Sequence, residues 1–99
     1  MADNSRYTRS MACLREVEAI IPGGTQTFSK SALLYPRGHA PHFIEQGRGA
    51  RVRDIDGNEY IDLMAALLAV VLGYCDEDVD RAIRQQLERG ISFSLASRL

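Results

Sequence analysis

The chain has 99 residues, of which 45% are hydrophobic and 25% charged, so its composition is that of a globular domain and not of a disordered chain. Its formal net charge is −1, with 12 basic and 13 acidic residues, which argues against a surface that attracts nucleic acid or anionic lipid. A chain this short forms only a thin core unless another chain or segment covers it. The apolar run 63–72 is too short to span a membrane.

The amino-terminal half predicts a helix followed by a long loop. The helix covers residues 8–21, where apolar residues recur at spacings of three and four on one face, namely Met11, Leu14, Val17, Ile20 and Ile21. Pro22-Gly23-Gly24 stops this helix. Residues 22–42 then form an irregular loop, and its length indicates a functional segment. Its large apolar residues, Phe28, Leu33, Leu34 and Tyr35, indicate packing against protein.

The second half predicts an antiparallel sheet and a second helix. Residues 43–62 form short β-like runs, and Asp56-Gly57 is typical of a tight hairpin turn. Residues 63–75 form an apolar segment that we expect to be buried. A helix over 76–90 begins at the carboxylates after Tyr74 and ends near Gly90, with Val79, Ala82, Ile83 and Leu87 on one face. The pattern predicts a small α+β fold.

Several polar residues are explained without catalysis or metal binding. Cys13 and Cys75 form no CxxC pair, and no amino-terminal signal peptide is evident, which predicts reduced thiols and a cytoplasmic location. His39 and His42 have no cysteine or carboxylate cluster beside them, so we expect no metal site. The aspartates at 54, 56 and 62 do not match a calcium-binding loop. The tyrosines at 60 and 74 are interpreted as packing residues with a hydrated hydroxyl.

Three segments carry a resemblance to a known family. They are Ile21-Pro22-Gly23-Gly24-Thr25, the hairpin sequence over 49–62, and Leu72-Gly73-Tyr74. In this order they resemble the start of class III pyridoxal-phosphate aminotransferases, and the helix that contains Val79 and Leu87 adds a fourth match. The residues at 25–30 resemble most closely the glutamate-1-semialdehyde 2,1-aminomutase branch and its relatives.

The resemblance implies a fold-type I enzyme in which this chain forms the amino-terminal part of the small domain. It further implies pyridoxal 5'-phosphate as cofactor, a small amino-acid or keto/aldehyde substrate, and a homodimer. The large domain with the cofactor-binding lysine is expected beyond residue 99, so we expect the chain alone to be inactive. An alternative is a non-catalytic fragment that acts as an interaction or dimerisation module. An unrelated α+β domain is a further alternative.

The same resemblance places the loop 22–42 on the substrate side, and it suggests three substrate-binding residues and no catalytic one. Lys30 occupies the place of an arginine that receives the substrate carboxylate, and it is the only lysine of the chain. It lacks the planar fork of arginine, so substrate preference is expected to differ. We do not assign it as the cofactor-binding lysine, because no phosphate cradle follows it. Thr27 matches a substrate-contacting serine, with Ser29 as an adjacent donor.

Leu67 completes the set, because it replaces a tryptophan that lines the substrate pocket in that branch. An aliphatic side chain there removes an aromatic wall and an indole donor. Leu68 follows, where the branch has glycine. The general burial tendency of leucine favours the alternative that both are ordinary core leucines.

Overall fold

The amino-terminal helix α1 spans Thr8–Glu18 and follows a short 3₁₀ turn at Asn4–Tyr7. The structure, a computed structural model, describes residues 4–98. The predicted span of 8–21 is corrected to this shorter helix because Pro22 disfavours helical backbone at the residue before it. Ile21 accordingly has extended angles, with φ −121° and ψ 112°. Of the predicted apolar face, Leu14 is buried, whereas Ile20 is 81% exposed.

The loop 22–42 contains two ordered 3₁₀ turns, Pro22–Gly24 and Phe28–Lys30. Gly24 has a φ of +74°, and a Cβ added to it would lie 2.9 Å from Cδ1 of Leu14. Glycine is therefore required here both for its backbone angle and for close approach to α1. The packing predicted for the loop's large apolar residues has no partner within residues 4–98, where Phe28 and Leu33 are each 72% exposed. No second layer covers this side of the described chain.

Three antiparallel strands form the sheet, in the order β1-β2-β3. They are β1 at Ile44–Arg48, β2 at Arg51–Asp54 and β3 at Glu59–Ile61. A bulge interrupts the β1–β2 register between Ile44 and Gln46, and β2 pairs with β3 through Val52 and Tyr60. Gly57 occupies the β2–β3 turn with a φ of +90°. The predicted α+β class with a small antiparallel sheet is confirmed.

The apolar segment after β3 is exposed, which makes the prediction of a buried segment wrong. It contains the one-turn helix α2 at Ala65–Leu68, whose four residues all have positive φ between 44° and 70°. Leu63 is 90% exposed and Leu68 77%. Burial requires a facing layer, and residues 4–98 supply none for this segment.

Helix α3 spans Glu77–Leu87, inside the predicted range of 76–90. The carboxylate of Asp76 accepts a hydrogen bond from the amide of Val79 at 3.0 Å and thereby caps the helix. Gly90 has a φ of +93° and follows the last turn, as its sequence position indicates. The apolar face of α3 is exposed, with Ile83 at 53%.

The described chain has a small core and an extended shape. Its buried hydrophobic residues are Tyr7, Leu14, Ala32 and Val52. The radius of gyration is 16.7 Å, against about 13 Å for a compact domain of this length. The accessible surface is 8068 Å², against about 5,600 Å² for a compact protein of this mass. None of the helices in residues 4–98 has the length and apolar content to cross a membrane.

Candidate functional site

A groove of about 790 Å³ opens between the loop 22–42 and the sheet. The loop contributes Thr25, Gln26 and Lys30 to its lining. Val52 and Tyr60 line it from the sheet, and Asp62 lines it from the segment after β3. The groove therefore combines an apolar floor with one cationic and one anionic side chain, which suits a small zwitterionic or carboxylate-bearing molecule.

Of the three residues predicted to bind substrate, Lys30 lines this groove. Lys30 is exposed and is the last residue of the turn Phe28–Lys30, in which its amide donates to the carbonyl of Thr27 at 3.0 Å. Thr27 is exposed, and Leu67 in α2 is 57% exposed. In the described part of the chain neither of these two lines the groove. The structure thus brings Lys30 alone to the groove wall.

His42, which the sequence analysis considered only as a metal ligand, adds a polar atom to the groove wall. Its Nε2 is buried and has no hydrogen-bond partner within residues 4–98. Burial lowers the pKa of His42, and the positive charge of Arg37 lowers it further, while Glu18 opposes the shift. A neutral imidazole at pH 7 follows from this environment.

Asp62 and Tyr74 form a second polar group of the groove. The Tyr74 hydroxyl donates to Oδ2 of Asp62 at 2.6 Å, and Oδ1 accepts from the amides of Met64 and Ala65 at 2.9 and 3.2 Å. The Tyr74 hydrogen bond lowers the pKa of Asp62, against the opposing effect of burial. The predicted hydrated hydroxyl is wrong for Tyr74, because a carboxylate occupies its donor.

Asp54 organises the β2–β3 turn from a fully buried position. Oδ1 accepts from the amides of Asp56 and Asn58 at 3.0 and 2.8 Å. Oδ2 accepts from Nδ2 of Asn58 at 2.9 Å and from the hydroxyl of Tyr60 at 2.8 Å. Burial and hydrogen bonds to Tyr7 and Asp54 raise the pKa of Tyr60. The Tyr60 hydroxyl therefore also differs from the hydrated group expected from sequence.

Asp56 has a role that sequence reasoning missed. Its two carboxylate oxygens accept from the amides of Arg9 and Ser10 at 2.6 and 2.8 Å, across 47 and 46 residues. The turn of the hairpin thus caps the amino terminus of α1, where anions are favoured. The Asp-x-Asp-Gly-Asn pattern could have indicated the local Asp54 contacts, but it contains no signal for a helix so distant in sequence.

The amino termini of α1 and α3 are not free to hold the phosphate of pyridoxal phosphate. A phosphate cradle commonly uses free amides at a helix amino terminus, but Asp56 occupies that of α1 and Asp76 that of α3. Acidic residues also fill the first turn of α3. The lysine at 30 is exposed, and within residues 4–98 no group of three His, Cys, Asp or Glu could hold a metal ion.

Comparisons with known proteins place similarity over most of the chain. The family model for class-III aminotransferases matches residues 34–97. The whole chain is 35% identical to a 3-aminobutyryl-CoA aminotransferase from Cloacimonas acidaminovorans (strain Evry) and covers 24% of that protein. It is 38% identical over 95% of its length to a glutamate-1-semialdehyde 2,1-aminomutase from Chloroflexus aggregans, of which it covers 21%.

A solved structure shows the same similarity in three dimensions. The glutamate-1-semialdehyde-aminomutase from Pseudomonas aeruginosa PAO1, in complex with PMP, aligns with a TM-score of 0.79 and 26% identity. The alignment covers 95% of this chain and 20% of that one. The chain therefore spans about a fifth to a quarter of the length of these relatives.

Proposed function

The chain belongs to the class III aminotransferase family, and we propose that it forms the substrate-side wall of an enzyme that transfers an amino group to a small carbonyl compound. The family and its solved relatives imply pyridoxal phosphate as the cofactor of the whole enzyme. The cofactor supplies the electron sink for such transfers. The observation that carries the proposal is Lys30 on the wall of the groove.

In this proposal Lys30 holds the substrate carboxylate as a point charge. Its exposed ammonium can reach a ligand in the groove, and Thr25 and Gln26 beside it offer further polar contacts. Thr27 and Leu67 are proposed as substrate contacts that another part of the enzyme brings to the substrate. The relatives named above include both a transaminase and an aminomutase, so transfer between molecules and within one molecule both fit the proposal.

Two assays test the proposal. The 99-residue chain mixed with pyridoxal phosphate, an amino acid and a keto acid is expected to show no turnover, because the described residues offer no phosphate cradle. In an enzyme that carries this segment, Lys30→Ala is expected to raise KM for a carboxylate-bearing substrate about 10- to 100-fold. Lys30→Arg retains the charge and serves as the control. Turnover by the chain alone, or an unchanged KM in Lys30→Ala, contradicts the proposal.

A second candidate function is dimerisation, and the exposed apolar residues favour it. Leu63, Leu68 and Leu72 are each at least 70% exposed, and Ile83 adds the face of α3. Exposed apolar side chains of this size and number are typical of an interaction site. We propose that a second copy of the chain covers part of it. Sedimentation equilibrium over a range of concentrations is expected to show a dimer, and a monomer at all concentrations contradicts this.

The proposed enzyme acts on small molecules in the cytoplasm. The two cysteines, Cys13 and Cys75, are both free thiols, which is usual in a reducing compartment. The net charge of −1 offers no field for nucleic acid. Fractionation of the producing cells, followed by immunodetection of the chain, tests the location, and recovery outside the cytoplasm overturns it.

A further inference from the structure

We propose that Asp56 is a positioning residue that fixes the loop bearing Lys30, acting through helix α1. Asp56 lies in the β2–β3 turn and does not line the groove. Its carboxylate accepts from the amides of Arg9 and Ser10, in the first turn of α1. The helix in turn contacts the loop at two places near its other end. The hairpin, the helix and the loop thus form one series of contacts, which runs from Asp56 through α1 to the loop that bears Lys30.

The first step of the series is the joint between the turn and α1. Asn58 adds a second hydrogen bond beside Asp56, from its Nδ2 to the carbonyl of Arg6 at 3.0 Å. Few apolar side chains support this contact, because Tyr7 and Leu14 are the buried hydrophobic residues in and next to α1. The bidentate contact of Asp56 with two helix amides is therefore a main attachment of α1 to the sheet.

The second step is the contact between α1 and the turn before Lys30. Gly24 lies against Leu14 so closely that an added Cβ would be 2.9 Å from Cδ1. The carbonyl of Gly23 then accepts from the amide of Ala32 and from Oγ of Ser31, both at 3.2 Å. Ser31 and Ala32 are buried and directly follow Lys30. The position of Lys30 thus depends on where α1 lies.

A second branch of the series leaves α1 through an ion pair at its carboxyl end. Both carboxylate oxygens of Glu18 accept from the guanidinium of Arg37, one of them at 2.9 Å. Next to Arg37 in sequence, the amides of His39 and Ala40 both donate to the carbonyl of Pro36 at 3.1 Å. Displacement of α1 therefore reaches residues 36–40 through Glu18 and residues 31–32 through Gly24.

Hydrogen exchange of the 99-residue chain tests this series. Asp56→Asn leaves one acceptor oxygen for two amides and removes the charge. We expect exchange of the amides of Ser10, Ala32 and Ala40 to accelerate about 5- to 30-fold. Asp76→Asn is the matched control, because it removes the same charge at the amino terminus of α3, a helix outside the contacts that join Asp56 to the loop. Acceleration of Ser10 alone, or equal acceleration of Ala32 in Asp76→Asn, overturns the proposal.

A second variant separates the two branches of the series. In a Glu18→Gln background the ion pair to Arg37 is lost, so Asp56→Asn should no longer accelerate Ala40 but should still accelerate Ala32. Amides of β2 provide the internal reference for global unfolding. If they also lose protection, the comparison is repeated with trimethylamine N-oxide, which favours the folded state. An Asp56 effect on Ala40 of the same size in both backgrounds refutes the ion-pair branch.

This inference deepens the proposed function, on which it rests for the purpose of the loop. The exchange experiment uses no ligand, so the proposed role of Asp56 can be refuted while Lys30 still binds a carboxylate. Conversely, Lys30→Ala leaves the exchange of Ser10 unchanged in either case.

Discussion

Asp54 has no exposed surface, yet it remains ionised because four donors surround it. A buried carboxylate is costly without such partners, and here two backbone amides, an asparagine side chain and a tyrosine hydroxyl provide them. The residue joins the β2–β3 turn to Tyr60, whose hydroxyl lies 3.4 Å from that of Tyr7. One side chain therefore connects the turn, the sheet and the approach to α1.

Asp54→Asn is expected to destabilise the chain by about 1–3 kcal/mol. The amide nitrogen would replace Oδ2, which accepts from Asn58 and Tyr60, so donors would face a donor. Urea unfolding followed by circular dichroism measures the change. Asp78→Asn is the matched control, because its side chain is 85% exposed, and a shift within about 0.5 kcal/mol is expected there. Equal effects of the two substitutions contradict this account of Asp54.

The same carboxyl predicts a loss of stability in acid. Burial raises the pKa of Asp54, but hydrogen bonds from Asn58, Tyr60 and the amide of Asp56 lower it by more, to below its ordinary value of 3.8. The stabilisation is therefore present above about pH 4 and is lost as pH falls through the lowered value. Urea midpoints between pH 5.5 and 3 should fall, and should fall less in Asp54→Asn. If the urea midpoints of the original chain and of Asp54→Asn fall equally with pH, Asp54 is excluded as a source of the acid sensitivity.

For single residues, the sequence predicts hydrogen bonds between neighbours in the chain and misses those between residues that are distant in sequence. The Asp-Gly turn and the cap by Asp76 could be predicted because both involve neighbours in sequence. The contacts of Asp56 with Arg9 and Ser10 could not, since they join residues 47 and 46 positions apart. The burial of Nε2 of His42 likewise depends on how the loop folds over it. The predicted roles of Thr27, Lys30 and Leu67 come from resemblance and stay predictions.

The elements show how a proline limits a helix and how close packing requires a small residue. Helix α1 ends at Glu18 and not at Ile21 because the residue before proline favours extended backbone. In β1, Gly47 lies against the ring of Tyr74, which reaches it through the isolated bridge between Tyr74 and Gly49. Tyr74 thus pairs with the sheet although it lies well after β3 in sequence, and no sequence pattern predicts this contact.

Gly47→Ala is expected to destabilise the chain by about 1–3 kcal/mol through overpacking. The added Cβ would lie 2.5 Å from Cγ of Tyr74 and 2.8 Å from Cδ1 and Cδ2, so the ring must move and its bond to Asp62 must weaken. Thermal unfolding measures the loss. In a Tyr74→Ala background the ring is absent, and Gly47→Ala should be nearly neutral. A full loss of stability in that background contradicts the contact.

At the scale of the whole molecule, the surface exceeds that of a compact protein of this mass by about 2,400 Å². This is more than the surface that a standard protein–protein interface buries on one partner, about 800 Å². The sequence predicted a thin core, because chain length bounds burial, and it predicted the apolar face of α3 from periodicity. It could not say what covers that face, since periodicity indicates burial without naming the partner. The wrong prediction for the apolar run after β3 has the same origin.

The apolar face of α3 provides the sharpest test of self-association. Ile83 lies at its centre and is 53% exposed, between Val79 at 42% and Leu87 at 54%. Ile83→Glu places an unpaired charge where the second copy is proposed to pack, and we expect the dimer dissociation constant to rise about tenfold or more. Gln85→Glu adds the same charge to the opposite side of the helix and should change the constant less than threefold, or about 0.6 kcal/mol. Sedimentation equilibrium on both variants measures these constants. If Gln85→Glu weakens the dimer as much as Ile83→Glu, net charge controls association and the apolar face does not.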